Sequence, residues 1–203
     1  WKRDILDFVE NRLHKILWGA EEIFAPGERF ALAAPLNFVA SLMVLSYGLY
    51  RGCGASYILS FSTVKNPVAL IKYLLLKRIT LFFLTPTYAR KFAGKTGPFL
   101  KKMVVGSEPA NGYYLKGVTN YNMYAQSEGG VIAGMFVIDR EYSICPIGKP
   151  QFDMKYRIVD DDGKDVQSGE SGEFIFESPY VRGYINLPKD SAKAFKDGYY
   201  YTS

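Results

Sequence analysis

The chain has 203 residues, 48% of them apolar and 22% charged, the composition of a polypeptide that buries a core, and it excludes disorder. Lys and Arg number 25 against 20 Asp and Glu, leaving a formal charge of +5; the basic residues are scattered, so no nucleic-acid partner is expected. Two cysteines far apart, Cys53 and Cys145, and the single His14 exclude a disulfide framework and most zinc knuckles, and point to a reducing, cytoplasmic setting.

Residues 1–17 place Ile5, Phe8, Val9, Leu13, Ile16 and Leu17 at helical spacing among mixed charges, which predicts an amphipathic helix rather than a targeting signal. His14 reads as a surface residue of that helix. Residues 30–50 carry no formal charge and are long enough to span a bilayer, but Pro35 and Asn37 interrupt them. The better reading is a buried strand at 30–34 followed by a helix at 40–50, with no membrane span. Further strands are expected at 57–60, 79–84, 102–105 and 121–123, with helices at 67–77 and 87–93. Asn66 before Pro67 is a helix-start signal, and Pro86 ends a strand as Pro35 does.

After about Gly148 the pattern changes to short alternating segments at 155–159 and 173–177, separated by turn residues at 161–163 and 169–172. The predicted fold class is therefore α/β: a parallel sheet with crossover helices in 1–145, followed by a smaller antiparallel β, barrel-like subdomain in 146–203.

Three loops follow strand ends: 35–38, 106–109 and 124–130. Ligands of open α/β sheets bind at the carboxyl ends of the strands, so these loops together would form one site. Gly106 lets a flat group approach the backbone and Tyr124 offers a stacking face. Ser127 offers a donor for a phosphate and Glu128 a ligand for a hard cation. Taken one at a time they are equally a plain turn, a core tyrosine and a helix cap.

The order of these loops, followed by Pro146-Ile147-Gly148-Lys149-Pro150, the 172–176 strand, Val181-Arg182-Gly183-Tyr184-Ile185-Asn186 and the tyrosine-rich 197–203 segment, resembles the AMP-forming adenylating enzymes. That superfamily comprises acyl-CoA synthetases, adenylation domains of nonribosomal peptide synthetases and luciferase. The resemblance covers nearly the whole chain. It implies that Tyr124 stacks on adenine with Asn122 and Met123 beside it, that Ser127 binds the α-phosphate, and that Glu128 coordinates Mg²⁺. It also implies that Gly106, Ser107 and Glu108 line the adenine and acyl pockets, while 172–186 is mainly structural. The implied reaction uses ATP and Mg²⁺ to convert a carboxylic acid to an acyl-adenylate, which then passes to a thiol of CoA or a carrier protein.

The sequence departs from the family pattern at Ala125, where glycine is usual, and at Ser127, where threonine is common. The connection from Gly106 to Asn122 is short and predicts a trimmed helix. The resemblance places the phosphate-gripping loop before Trp1, and the ribose-binding aspartate and mobile C-terminal domain after Ser203. The chain thus reads as an internal piece, inactive alone. The matched pocket positions Phe38, Val39, Ala40, Met43, Met123, Val131 and Ile132 are apolar, which favours an acid without an α-ammonium group, although the same residues also read as core. The wording around 181–184 is closer to peptide-synthetase adenylation domains. The alternative is a non-catalytic nucleotide-binding or interaction module of the same fold, for which Ala125 is the best support. Cys53 and Cys145 read as inert thiols.

Overall fold

The computed structural model describes residues 23–34, 38, 41, 52, 54–92, 95–129, 131–150, 154–178, 181 and 183–202. The helix expected at 1–17, His14, Cys53 and, apart from Ser41, the helix expected at 40–50 lie outside them.

Strands β1 (Arg29–Leu32), β2 (Ala55–Ile58), β3 (Leu81–Leu84), β4 (Lys102–Gly106) and β5 (Thr119–Gln126) run parallel. Strands β6 (Val131–Ile138) and β7 (Lys149–Pro150) add to β5 antiparallel, giving the order β2-β1-β3-β4-β5-β6-β7. Among the described residues the connections carry helices α1 (Phe61–Lys65), α2 (Pro67–Leu76) and α3 (Pro86–Ala89). Asn66 starts α2 as expected: its side-chain oxygen accepts the backbone N–H groups of Val68 and Ala69, both at 3.1 Å, and Pro67 fills the first turn.

A second sheet holds β8 (Tyr156–Val159), β9 (Glu173–Glu177), β10 (Phe195–Lys196) and β11 (Tyr199–Tyr201), in the antiparallel order β10-β11-β9-β8, with α4 (Pro188–Ala194) leading into β10. The turn expected at 161–163 is present. The Asp160 carboxylate accepts the N–H groups of Asp162 and Lys164, and Gly163 takes a φ of 78°. The first sheet runs on through β7, past the expected division at 145, and the second begins at Tyr156.

Both faces of the first sheet are covered. Phe30, Leu32, Leu81, Phe83 and Val104 pack with Met154, Phe176 and Tyr200 towards the second sheet, while Ala31, Phe82, Leu84, Met103 and Val105 pack with Leu70, Leu74 and Ala89 of the helices. Burial on two sides is why these strands read as unbroken apolar runs. Among the described residues no helix is long and apolar enough to cross a membrane.

β5 is longer than the expected 121–123, and β6, β7, α1, α4, β10 and β11 were not anticipated. The β4–β5 crossover has no helix; it is an irregular loop pinned by Asn120. That fully buried amide donates to the carbonyls of Leu115 (2.9 Å) and Val118 (2.7 Å) and accepts from the Tyr113 hydroxyl (2.8 Å).

Candidate active site

Because β1 to β5 are parallel, their carboxyl ends share one edge. The chain leaves β1 towards β2 on one side, while β3, on the other side, leads to β4. The crevice between the ends of β1 and β3 is therefore the topological switch point, where open α/β sheets hold their ligands. Thr85 follows β3 at this crevice, Gly106 ends β4 and Ser107 follows it, and residues 124–129 follow the β5 positions that pair with β4.

Gly106 allows no side chain, because a Cβ there would lie 2.6 Å from the Met123 carbonyl oxygen, and Ser107 adopts a left-handed φ of 69°. Glu108 turns to the next loop. Its carboxylate accepts the Thr87 backbone N–H at 3.1 Å and also the Thr87 hydroxyl, tying the β4 end to the start of α3.

On β5 the side chains divide. Met123 is buried towards the second sheet, whereas the Asn122 amide donates to the Pro146 carbonyl at 2.8 Å and to the Cys145 sulfur at 3.7 Å. A register shift between Tyr124 and Ala125 interrupts the alternation, so both neighbours lie against the core on the second-sheet side. The Tyr124 ring meets Phe174 edge-on at 6.0 Å, and its hydroxyl accepts from the Gln126 amide at 2.9 Å. Burial, reinforced by Tyr200, pushes the Tyr124 hydroxyl above its ordinary pKa.

Ser127, Glu128 and Gly129 form a single 3₁₀ turn, with Ser127 exposed and Glu128 partly exposed. Three contacts fix this turn to the second sheet and the segment after it. The Tyr184 hydroxyl donates to Glu128 Oε1 at 3.1 Å, the Ser178 hydroxyl donates to the Glu128 carbonyl at 2.5 Å, and the Phe176 ring occupies the space where a Cβ on Gly129 would sit, 2.3 Å from its Cε2. Tyr184 and Tyr200 are both held above the ordinary tyrosine pKa, first by burial and then by the Glu128 carboxylate. They therefore remain neutral donors through the neutral range.

Two buried side-chain polar atoms have no partner among the described residues, Thr85 Oγ1 and Gln126 Oε1. Both lie at this carboxyl edge, where a ligand would satisfy them. Neither was singled out from sequence, although Thr85 before Pro86 at a strand end was a readable signal. In the sequence Tyr184 belongs to the 172–186 stretch expected to be mainly structural, and Ser178 carries no signal of its own.

Of the expected pocket residues, Phe38 is 53% exposed and its carbonyl accepts from the Ser41 N–H (3.0 Å) and hydroxyl (2.7 Å). Val39, Ala40 and Met43 lie outside the described residues. The backbones of Val131 and Ile132 open β6 and pair with Gln126 and Ala125, which places them beside the Tyr124–Glu128 loop. Cys145 is a free, buried thiol whose pKa burial raises, as befits an inert cysteine.

Among the described residues no three His, Cys, Asp or Glu side chains converge on a metal position. A single half-exposed carboxylate nevertheless suits Mg²⁺, which keeps several waters and binds through one or two carboxylates plus substrate phosphates. Glu128 fits that role by its chemistry.

The sheet order and this edge define an open α/β architecture with a crevice at its carboxyl edge, and residues 7–185 match the family model of AMP-binding enzymes; the chain belongs to that family. It is 42% identical over 79 residues to a D-alanine–D-alanyl carrier protein ligase of Streptococcus pyogenes, a stretch covering 36% of this chain and 15% of the ligase. Among solved structures it is similar to IdnL1, with a TM-score of 0.80 and 20% identity over 97% of this chain and 42% of that one. It is also similar to the O-succinylbenzoate coenzyme A synthetase of Bacillus subtilis in complex with AMP, with a TM-score of 0.75 and 17% identity over 94% of this chain and 40% of that one. At these identities the solved structures share its fold. The chain spans less than half the length of these two structures.

Proposed function

We propose that this chain supplies the adenylate-forming site of an ATP-dependent, AMP-forming acid:thiol ligase. The observation that carries the reading is the carboxyl edge itself. Tyr124, Ser127 and Glu128 line it, and both partnerless buried polar atoms, Thr85 Oγ1 and Gln126 Oε1, lie on it.

In this reading a carboxylate oxygen of the acid forms a bond to the α-phosphorus of ATP, the bond from that phosphorus to the bridging oxygen breaks, and pyrophosphate leaves. A thiol then attacks the acyl carbon and AMP departs. The chemistry needs positioning and charge neutralisation more than proton transfer. Tyr124 stacks against adenine, held upright by Gln126 and Phe174. The exposed Ser127 hydroxyl donates to the α-phosphate, and Gly106 and Ser107 present backbone to the adenosine. Glu128 would hold Mg²⁺, which when bound offsets charge on the phosphates. Glu108 and Asn122 serve the same loops indirectly, through Thr87 and Pro146.

The acid sits at the carboxyl edge with Thr85 as its polar contact, and the sequence resemblance assigns Phe38, Val39, Ala40, Met43, Val131 and Ile132 to its pocket. The named D-alanyl carrier protein ligase supports a carrier-protein thiol as acceptor, and the named coenzyme A synthetase supports CoA. A peptide-synthetase-like loading step and a cytoplasmic setting, in keeping with the free Cys145, belong to the same proposal. The test is acid-dependent ATP–pyrophosphate exchange by the full-length gene product, with D-alanine run against a panel of acids lacking an amino group. Exchange with one acid class supports the reading. Exchange with none, from folded protein, favours a non-catalytic module of the same fold.

A further inference from the structure

We infer that Tyr184 is a positioning residue for Glu128, its hydroxyl holding the carboxylate in the orientation that receives the nucleotide's divalent cation. The inference rests on the reading of Glu128 as the cation ligand.

A glutamate on a short turn at a strand end has three side-chain torsions to fix before it can serve as a ligand. The contacts that fix the turn come from residues 47 to 56 positions further along the chain. The Ser178 hydroxyl holds the Glu128 main chain, the Phe176 ring closes over Gly129, and the Tyr184 hydroxyl takes Oε1 at 3.1 Å. Tyr184 is itself braced. Its N–H donates to Ser191 Oγ at 2.7 Å, that hydroxyl donates onward to the Leu187 carbonyl at 2.8 Å, and its ring packs edge-on against Phe195 at 5.7 Å.

The chemistry of the donor matters as much as its place. A lysine or arginine here would pair with the carboxylate and cancel the charge that attracts a cation, whereas a neutral hydroxyl orients the group and leaves its charge intact. Tyr200 packs in turn on Phe195 at 5.3 Å, extending the aromatic cluster that carries the Tyr184 ring.

The experiment uses the full-length protein and Tyr184→Phe, which keeps the ring on Phe195 and removes only the hydroxyl. Mn²⁺ is titrated into the protein with ATP and followed by electron paramagnetic resonance. The half-saturating Mg²⁺ for pyrophosphate exchange is measured in parallel. Loss of an outer hydrogen bond to a metal ligand predicts a roughly 10-fold to 100-fold weaker Mn²⁺ affinity and a matching rise in the Mg²⁺ requirement. ATP binding in EDTA and the unfolding midpoint stay near wild type. Ser178→Ala, which frees the Glu128 main chain, weakens Mn²⁺ in the same direction and decides the matter should Tyr184→Phe fold poorly. Tyr142→Phe, whose hydroxyl donates to Asp139 on the far side of β6, leaves both readouts unchanged. Unaltered Mn²⁺ affinity in the folded Tyr184 or Ser178 variant would overturn the inference. A wild-type protein that binds Mn²⁺ and ATP but exchanges no pyrophosphate sinks the ligase reading alone, since the Mn²⁺ comparison still tests Tyr184.

Discussion

Glu128 and Thr85 carry opposite signatures, and each yields a prediction. Glu128 is tied down by its neighbours, and its charge is the part the proposed chemistry uses. Glu128→Gln keeps an acceptor for Tyr184 but removes the charge, so pyrophosphate exchange should fall by about 100-fold or more, with the unfolding midpoint unchanged. A variant that retained wild-type exchange would remove Glu128 from the cation site. Thr85 is the reverse case, a buried hydroxyl with no partner among the described residues. Thr85→Val deletes a group that contributes nothing to the fold without ligand, so urea unfolding should show stability equal to or above wild type while the KM for the acid rises. A loss of about 1 kcal/mol or more would mean that the hydroxyl already has a structural partner.

At the level of elements, the β4–β5 crossover replaces a helix with three hydrogen bonds on one buried amide. Asn120→Ala leaves the Tyr113 hydroxyl and two carbonyls unpaired in the core, and should lower stability by about 2–4 kcal/mol in urea titrations. A change below about 0.5 kcal/mol would mean that the loop holds without it. The same strand shows what was readable in the sequence and what was not. β1, β3 and β4 announce themselves because both their faces are buried and their residues are almost all apolar. β5 reads short at its start because Asn120 looks like a loop residue, and only the fold reveals the carbonyls of Leu115 and Val118 that satisfy it; at its other end Tyr124, Ala125 and Gln126 read as part of the 124–130 loop. β6 was missed because Val131 and Ile132 carry no strand-specific alternation, and antiparallel pairing depends on a partner rather than on local pattern. The loops at 106–109 and 124–130 were legible as a candidate site because Gly, Tyr, Ser and Glu each have a distinct chemistry there. The Tyr184–Glu128 bond was not, since it joins residues 56 positions apart.

The described residues form two sheets that share a core, with several buried or partly buried tyrosines in and around it. Tyr113, Tyr124, Tyr184 and Tyr200 all have hydroxyl pKa values raised above the ordinary tyrosine range, each chiefly by burial. A raised pKa means the folded state keeps its proton where the unfolded chain loses it. The associated stability is fully present below about pH 10 and is lost as pH rises through the folded values. Urea unfolding should therefore show little tyrosine-linked change between pH 7 and pH 9 and a decline above about pH 10. Stability that rose above pH 10 would contradict the buried placement of these rings. Cutting the contact between the sheets should release the Ser127–Gly129 turn: Gly129→Ala must displace the Phe176 ring, and is expected to weaken nucleotide binding and lower the unfolding midpoint together. An Ala variant unchanged in both would detach the second sheet from the site. The most direct test of the central claim is a crystal structure of the full-length protein with AMP. The adenine should lie against Tyr124 and the phosphate beside Ser127, at the carboxyl edge of β3, β4 and β5; AMP bound elsewhere, or no binding at millimolar nucleotide, would contradict it.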